Sequence, residues 1–109
     1  MEITRGDTLA FKFRRLDLNG SPIVVTPDSL YFTVKTAYTE SQYVLQKKLE
    51  DMTVDADGTY HVVVTAEETE ALPRSSYVYD IEVTQDGWVT TIAKGDLIIT
   101  EQATWEVNK

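Results

Sequence analysis

Three groups of residues in this chain carry side chains capable of chemistry at a suggestive spacing. Asp80 and Glu82 stand two apart in the alternating run 76–85, which places both carboxylates on one strand face about 6.6 Å apart. Carboxyl pairs near that separation hydrolyse glycosides when they flank a cleft. A flat strand face has no cleft, and Lys12 and Arg14 offer a row of cations to pair with them, so the run reads as the wet side of a sheet. Asp55-Ala56-Asp57-Gly58 has the acid spacing of a calcium loop. An EF-hand in that register would open on Thr53 and would need an acid at position 64, where Val64 stands. The stretch therefore reads as a turn. His61 is the single histidine in a chain without cysteine, and no acid stands at ligand spacing from it, so it reads as a surface residue. Arg5-Gly6-Asp7 spells the integrin-binding tripeptide, yet Gly6-Asp7 more naturally turns the chain into its first long strand. No serine sits in a Gly-x-Ser-x-Gly elbow and no glycine-rich phosphate loop precedes a helix. No catalytic, cofactor-binding or metal-ligating set is expected, and no enzyme.

The elements that must position these groups are short strands. Residues 8–15 alternate Leu9, Phe11 and Phe13 with Ala10, Lys12 and Arg14, the period of two that marks a strand with one wet face. Asn19-Gly20 and Pro22 end it. Residues 23–25 are a short apolar run closed by Pro27-Asp28-Ser29. Residues 30–36 point Leu30, Phe32 and Val34 inward and Tyr31, Thr33 and Lys35 outward. Residues 43–49 read as an edge strand, because Lys47 shares a face with Leu45 and Leu49 and an inward charge discourages stray pairing. Residues 60–65 set Tyr60, Val62 and Val64 against His61, Val63 and Thr65. Thr65 and Glu68 form a capping box, and Leu72-Pro73 stops the helical turn it starts. That turn should plug one end of the molecule.

Residues 76–100 organise the rest. Asp86-Gly87 as the centre of a type I′ turn predicts Gln85 opposite Trp88, Val83 opposite Thr90 and Ile81 opposite Ile92. Tyr77, Tyr79, Ile81, Val83, Trp88 and Ile92 then share the core side. Continued unbroken, that phase would bury Asp96 and expose Leu97 and Ile99. A bulge or kink at Lys94-Gly95 restores them, so Gly95 is expected to be critical for the backbone, with a third strand after it. About seven to eight strands, with one short helical turn near 66–72, predict an all-β, antiparallel, Ig-like β-sandwich forming a single domain over 1–109. A closed barrel is the structural alternative.

With 18 acidic and 10 basic residues the formal net charge is −8, which disfavours nucleic acid and anionic membranes as partners. The absence of cysteine excludes a disulfide framework and a thiolate zinc site. No basic-then-apolar leader opens the chain and no apolar run reaches about 20 residues, so neither a signal peptide nor a membrane span is expected. Candidate contact residues are the large aromatics that phase outside or near the ends: Tyr31, Tyr38, Tyr43 and Trp105. Such side chains anchor protein interfaces and serve as sugar-stacking platforms.

The order of these signals carries more information than any one of them. Gly6-Asp7-Thr8 opens a Phe-alternating strand, followed by Asp17-Leu18-Asn19-Gly20-Ser21-Pro22. Then come a strand ending in Val34-Lys35, Asp57-Gly58-Thr59-Tyr60, Thr65-Ala66-Glu67-Glu68-Thr69 with Leu72-Pro73, Tyr77-Val78-Tyr79-Asp80-Ile81, and Gly95-Asp96-Leu97. The series resembles the small β-sandwich modules of tailed-bacteriophage structural proteins, of baseplate and tail-fibre type. That resemblance implies a non-enzymatic virion building block, assembled in the bacterial host cytoplasm. Its partners would be other virion proteins or copies of itself. Residues 101–109 carry no coiled-coil or fibre segment, which departs from the larger examples and weakens a receptor role or obligate trimer. The alternative is a carbohydrate-binding or adhesion module stacking a glycan on Tyr31, Tyr38 or Trp105.

Overall fold

Alternation at period two becomes a strand wherever one face can be buried, and eight strands form within residues 1–101, which this computed structural model describes. They are β1 (Glu2–Thr4), β2 (Leu9–Phe13), β3 (Ser29–Lys35), β4 (Leu45–Lys48), β5 (Thr53–Val54), β6 (Tyr60–Val64), β7 (Ser76–Gln85) and β8 (Trp88–Thr100). A 3-10 turn covers Leu49–Asp51 and one short helix, α1, covers Ala66–Glu70. The protein is all-β. Its two sheets are ordered β1-β8-β7-β3-β4 and β2-β6-β5, the strand arrangement of an immunoglobulin sandwich with its first strand placed on the larger sheet. Pairing is antiparallel throughout except that β1 runs parallel to β8. Every other pair follows the antiparallel expectation. The turn at Gly6 carries the chain to the other sheet and leaves β1 beside the last strand.

The inward positions read from the sequence form the core. Leu30, Phe32 and Val34 of β3, Ile81 and Val83 of β7, and Leu97 and Ile99 of β8 pack with Tyr60, Val62 and Val64 of β6. Phe11 of the smaller sheet meets Phe32 of the larger edge-on, with ring centroids 5.0 Å apart, a favoured aromatic geometry. At the start of β7 the Tyr77 hydroxyl accepts the Arg74 N–H at 2.8 Å. This has the geometry of the tyrosine corner that holds the entry to the corresponding strand in immunoglobulin-type sandwiches.

One end is closed by α1. The Thr65 hydroxyl accepts the Glu68 N–H and the Glu68 carboxylate accepts the Thr65 N–H, completing the capping box. Thr69 is buried, donating to the Asp7 carbonyl at 2.7 Å and accepting the Gly6 N–H. Lys47 lies on the inner face of β4, opposite Phe32, and its ammonium reaches Glu68 at 2.7 Å. The inward lysine of the edge strand thus ties the larger sheet to the helix.

The hairpin between β7 and β8 follows its predicted turn, with Asp86 at φ 53° and Gly87 at φ 83°, both positive as type I′ requires. Gln85 pairs with Trp88 and Val83 with Thr90, but Ile81 pairs with Ala93 instead of Ile92. The bulge therefore falls at Ile92, ahead of the expected Lys94-Gly95, and β8 runs on without a break past Gly95. Either slip returns Leu97 and Ile99 to the core, so burial alone does not choose between them. Gly95 serves otherwise: it sits opposite Tyr79, and a Cβ there would come within 3.3 Å of that ring.

Candidate functional site

Strand lengths create the site. β7 and β8 have 10 and 13 residues, whereas β2 and β6 have five each. At a rise of about 3.3 Å per residue the smaller sheet is too short to cover the hairpin. A groove of about 550 Å³ remains, walled by Phe13, Arg15, Leu16 and Ile23 on one side and by Ile81, Val83, Trp88 and Ile92 on the other. Trp88 is 79 % exposed and Ile92 36 %. Both were expected in the core. Their phase is right, but no opposing strand among the described residues reaches them.

Arg15 forms one wall of the groove. It is 8 % exposed, donating to the Gln85 side-chain carbonyl at 3.1 Å and to the Val25 carbonyl at 2.6 Å. Its own carbonyl accepts the Ile23 N–H at 2.8 Å. One guanidinium thus joins the loop after β2, the residues before β3 and the tip of the hairpin. Its Nε has no partner among the described residues.

Beside the groove runs a free strand edge. β1 covers β8 only at Ile98, Ile99 and Thr100, so residues 88–95 carry no strand on that side among the described residues. Residues 88–93, Trp-Val-Thr-Thr-Ile-Ala, contain no charge, proline or glycine. Val89 is 61 % exposed. A free edge of this composition is a template for adding another strand.

The aromatics singled out from the sequence lie apart. Tyr31 is half-buried on the outer face of β3, between Glu82 and Lys48 in register. The Tyr38 hydroxyl donates to the Gly95 carbonyl at 3.0 Å, and Lys94 lies over its ring at 5.7 Å. Tyr43 is exposed just before β4. No ring contact joins these three among the described residues, and Trp105 lies outside the described residues. Asp80 and Glu82 are on the outer face of the larger sheet, where register sets Asp80 between Thr33 and Lys94 and Glu82 between Tyr31 and Thr91. Lys12 belongs to the smaller sheet, opposite His61, and Arg14 follows it, so the expected row of cations is not beside them. The sequence could not assign those residues to different sheets.

The remaining chemical candidates take structural roles. The turn at 55–58 closes through the Gly58 N–H to the Asp55 carbonyl. Asp57 accepts the Thr59 N–H at 3.0 Å, and this hydrogen bonding holds its carboxyl below the usual range. Asp55 meets His61 Nε2 at 2.8 Å. The Arg5 guanidinium pairs with Glu101 at 2.9 Å and donates to the Arg74 carbonyl, and the Gly6 and Asp7 backbones bond Thr69 and Thr4, so all three tripeptide residues are engaged within the fold. No group of three or more His, Cys, Asp or Glu side chains arranged for a metal occurs among the described residues.

No known family model and no curated protein matches the chain. What the groove and edge can do is bind. The groove offers apolar contact area, and the edge offers backbone donors and acceptors. Neither was legible as a site from residue types, and the mismatch in strand lengths that creates both emerges only in the fold.

Proposed function

We propose that the protein is a non-enzymatic assembly module acting through protein–protein contacts, in a tailed bacteriophage or prophage virion. The observation that carries the contact reading is the apolar groove walled by Trp88, Ile92, Leu16 and Phe13 beside the unpaired stretch of β8. An uncovered inner sheet face next to a free edge suits β-strand addition, in which backbone bonds supply affinity and alternate side chains supply specificity. The virion assignment rests on the order of turn and strand signals described above. The test is mass spectrometry of tailed particles purified after induction of a lysogen that encodes the chain. We expect it in the particles at a copy number like that of their other structural proteins. Its confinement to the soluble fraction would remove the assignment.

A glycan platform on Tyr31 or Tyr38 is less favoured, because Lys94 sits over the Tyr38 ring and Tyr31 is half-buried. A glycan array is expected to give no signal.

A further inference from the structure

The free edge of β8 is self-complementary in register, face and charge. In an antiparallel ladder beginning at a two-residue turn, Trp88 and Thr90 bond back to β7, leaving Val89 and Thr91 to point N–H and C=O outward. Farther along this same edge, Ile98 donates outward to the Met1 carbonyl at 2.8 Å, in keeping with that alternation. We propose that residues 88–92 pair with the same residues of a second copy, antiparallel about a two-fold axis at Thr90. This joins two five-stranded sheets into one.

In that register Val89 meets Thr91 of the other copy as a hydrogen-bonded pair, the one for which both residues present free backbone groups. Trp88 faces Ile92 and Thr90 faces Thr90 as non-bonded pairs, whose side chains approach more closely. Trp88, Thr90 and Ile92 all lie on the groove side, so faces match as well as backbones. An aromatic opposite a β-branched residue is a favourable cross-strand pair.

The self-complementary register and the matching ends of the stretch select a second copy of this chain as the occupant. The paired stretch is uncharged, and Asp86 at one end comes level with Lys94 of the other copy at each end of the pairing. The bulge at Ile92 ends the regular stretch and limits pairing to five residues. The larger sheet's other edge, β4, carries Lys47 and Lys48, the residues that ordinarily keep an edge unpaired. The interface is isologous and closes on itself, so it gives a dimer without a filament. The inference names a partner for the contact surface proposed above but does not depend on the virion assignment, since particle content and solution mass are read separately.

The test uses the full chain. Sedimentation equilibrium of the wild type is expected to give twice the 12.3 kDa chain mass. Thr91→Pro removes an outward N–H while leaving the bonds to β7, and it is expected to give a folded monomer by circular dichroism. Thr90→Cys places the chain's one thiol at the two-fold, where mild oxidation should give a disulfide dimer; Val89→Cys, out of register with itself, should not. If Thr91→Pro does not fold, the two cysteine variants decide. A wild type that stays monomeric at every concentration, a folded Thr91→Pro that remains a dimer, or equal cross-linking at 89 and 90 would each overturn the proposal.

Discussion

At the scale of single residues, the contact between Lys47 and Glu68 makes stability depend on pH. Burial works to raise the Glu68 pKa, but the Lys47 ammonium and the Thr65 N–H outweigh it, and the carboxyl is held below its ordinary value. The unfolded chain therefore binds more protons in acid than the folded one does. The contribution is complete above the unfolded value of about 4.3 and is lost as pH falls through the lower folded value. Lys47→Met is expected to cost about 1 kcal/mol at neutral pH, as partly buried pairs do. Its difference from wild type should shrink in acid, as pH falls through the lowered folded value and the Glu68 carboxyl becomes protonated in both. Urea titrations at neutral and acid pH would show this, and a difference unchanged in acid would refute it. Glycine positions offer a second comparison. Gly20 and Gly58 both have positive φ, but a Cβ at Gly20 meets open space whereas one at Gly58 would lie 2.9 Å from the Ile23 carbonyl. Gly20→Ala is expected to cost about 1 kcal/mol from backbone strain alone. Gly58→Ala should cost clearly more, because a backbone atom must move.

At the scale of elements, the open end of the sandwich depends on Arg15. It fastens the segment after β2 to Val25 and to the hairpin through Gln85, and in doing so fixes one wall of the groove. Arg15→Ala should leave those two acceptors unsatisfied and a void behind, costing about 2–3 kcal/mol in a urea titration. Arg15→Met keeps the apolar stem and is expected to cost less. Equal losses would mean that the hydrogen bonds, and not the stem, carry the effect. Such a role was not legible beforehand, because Arg14 and Arg15 look alike in sequence and only the fold buries one of them. The local devices were legible: the capping box at Thr65, the type I′ turn at Asp86-Gly87, the inward Lys47 and the alternating core residues all follow from short-range patterns. The place of the bulge was not, since slips at Ile92 and at Gly95 bury the same later residues. The exposure of Trp88 depends on how far a different sheet extends, and no window of local sequence contains that.

At the scale of the whole molecule, net charge opposes the edge pairing, and the two effects can be separated. Each copy carries a formal charge of −8. Two such charges about 30 Å apart repel by roughly 3 kcal/mol at about 0.01 M salt but by less than about 0.5 kcal/mol at about 0.1 M, where the Debye length is near 10 Å. The flanking pairs of Asp86 with Lys94 are exposed, and each contributes under about 1 kcal/mol even before screening. Repulsion between the copies is the larger electrostatic effect, so added salt should favour association. We predict that the dimer tightens by about tenfold or more between those two salt concentrations, read by sedimentation equilibrium. Lys94→Glu makes each copy two charge units more negative, four per dimer, and removes the complementary ends, so it should weaken the dimer most at low salt and least at high salt. A dimer that weakens as salt is added would mean that specific ion pairs dominate the interface, and that the uncharged strand edge is not its centre.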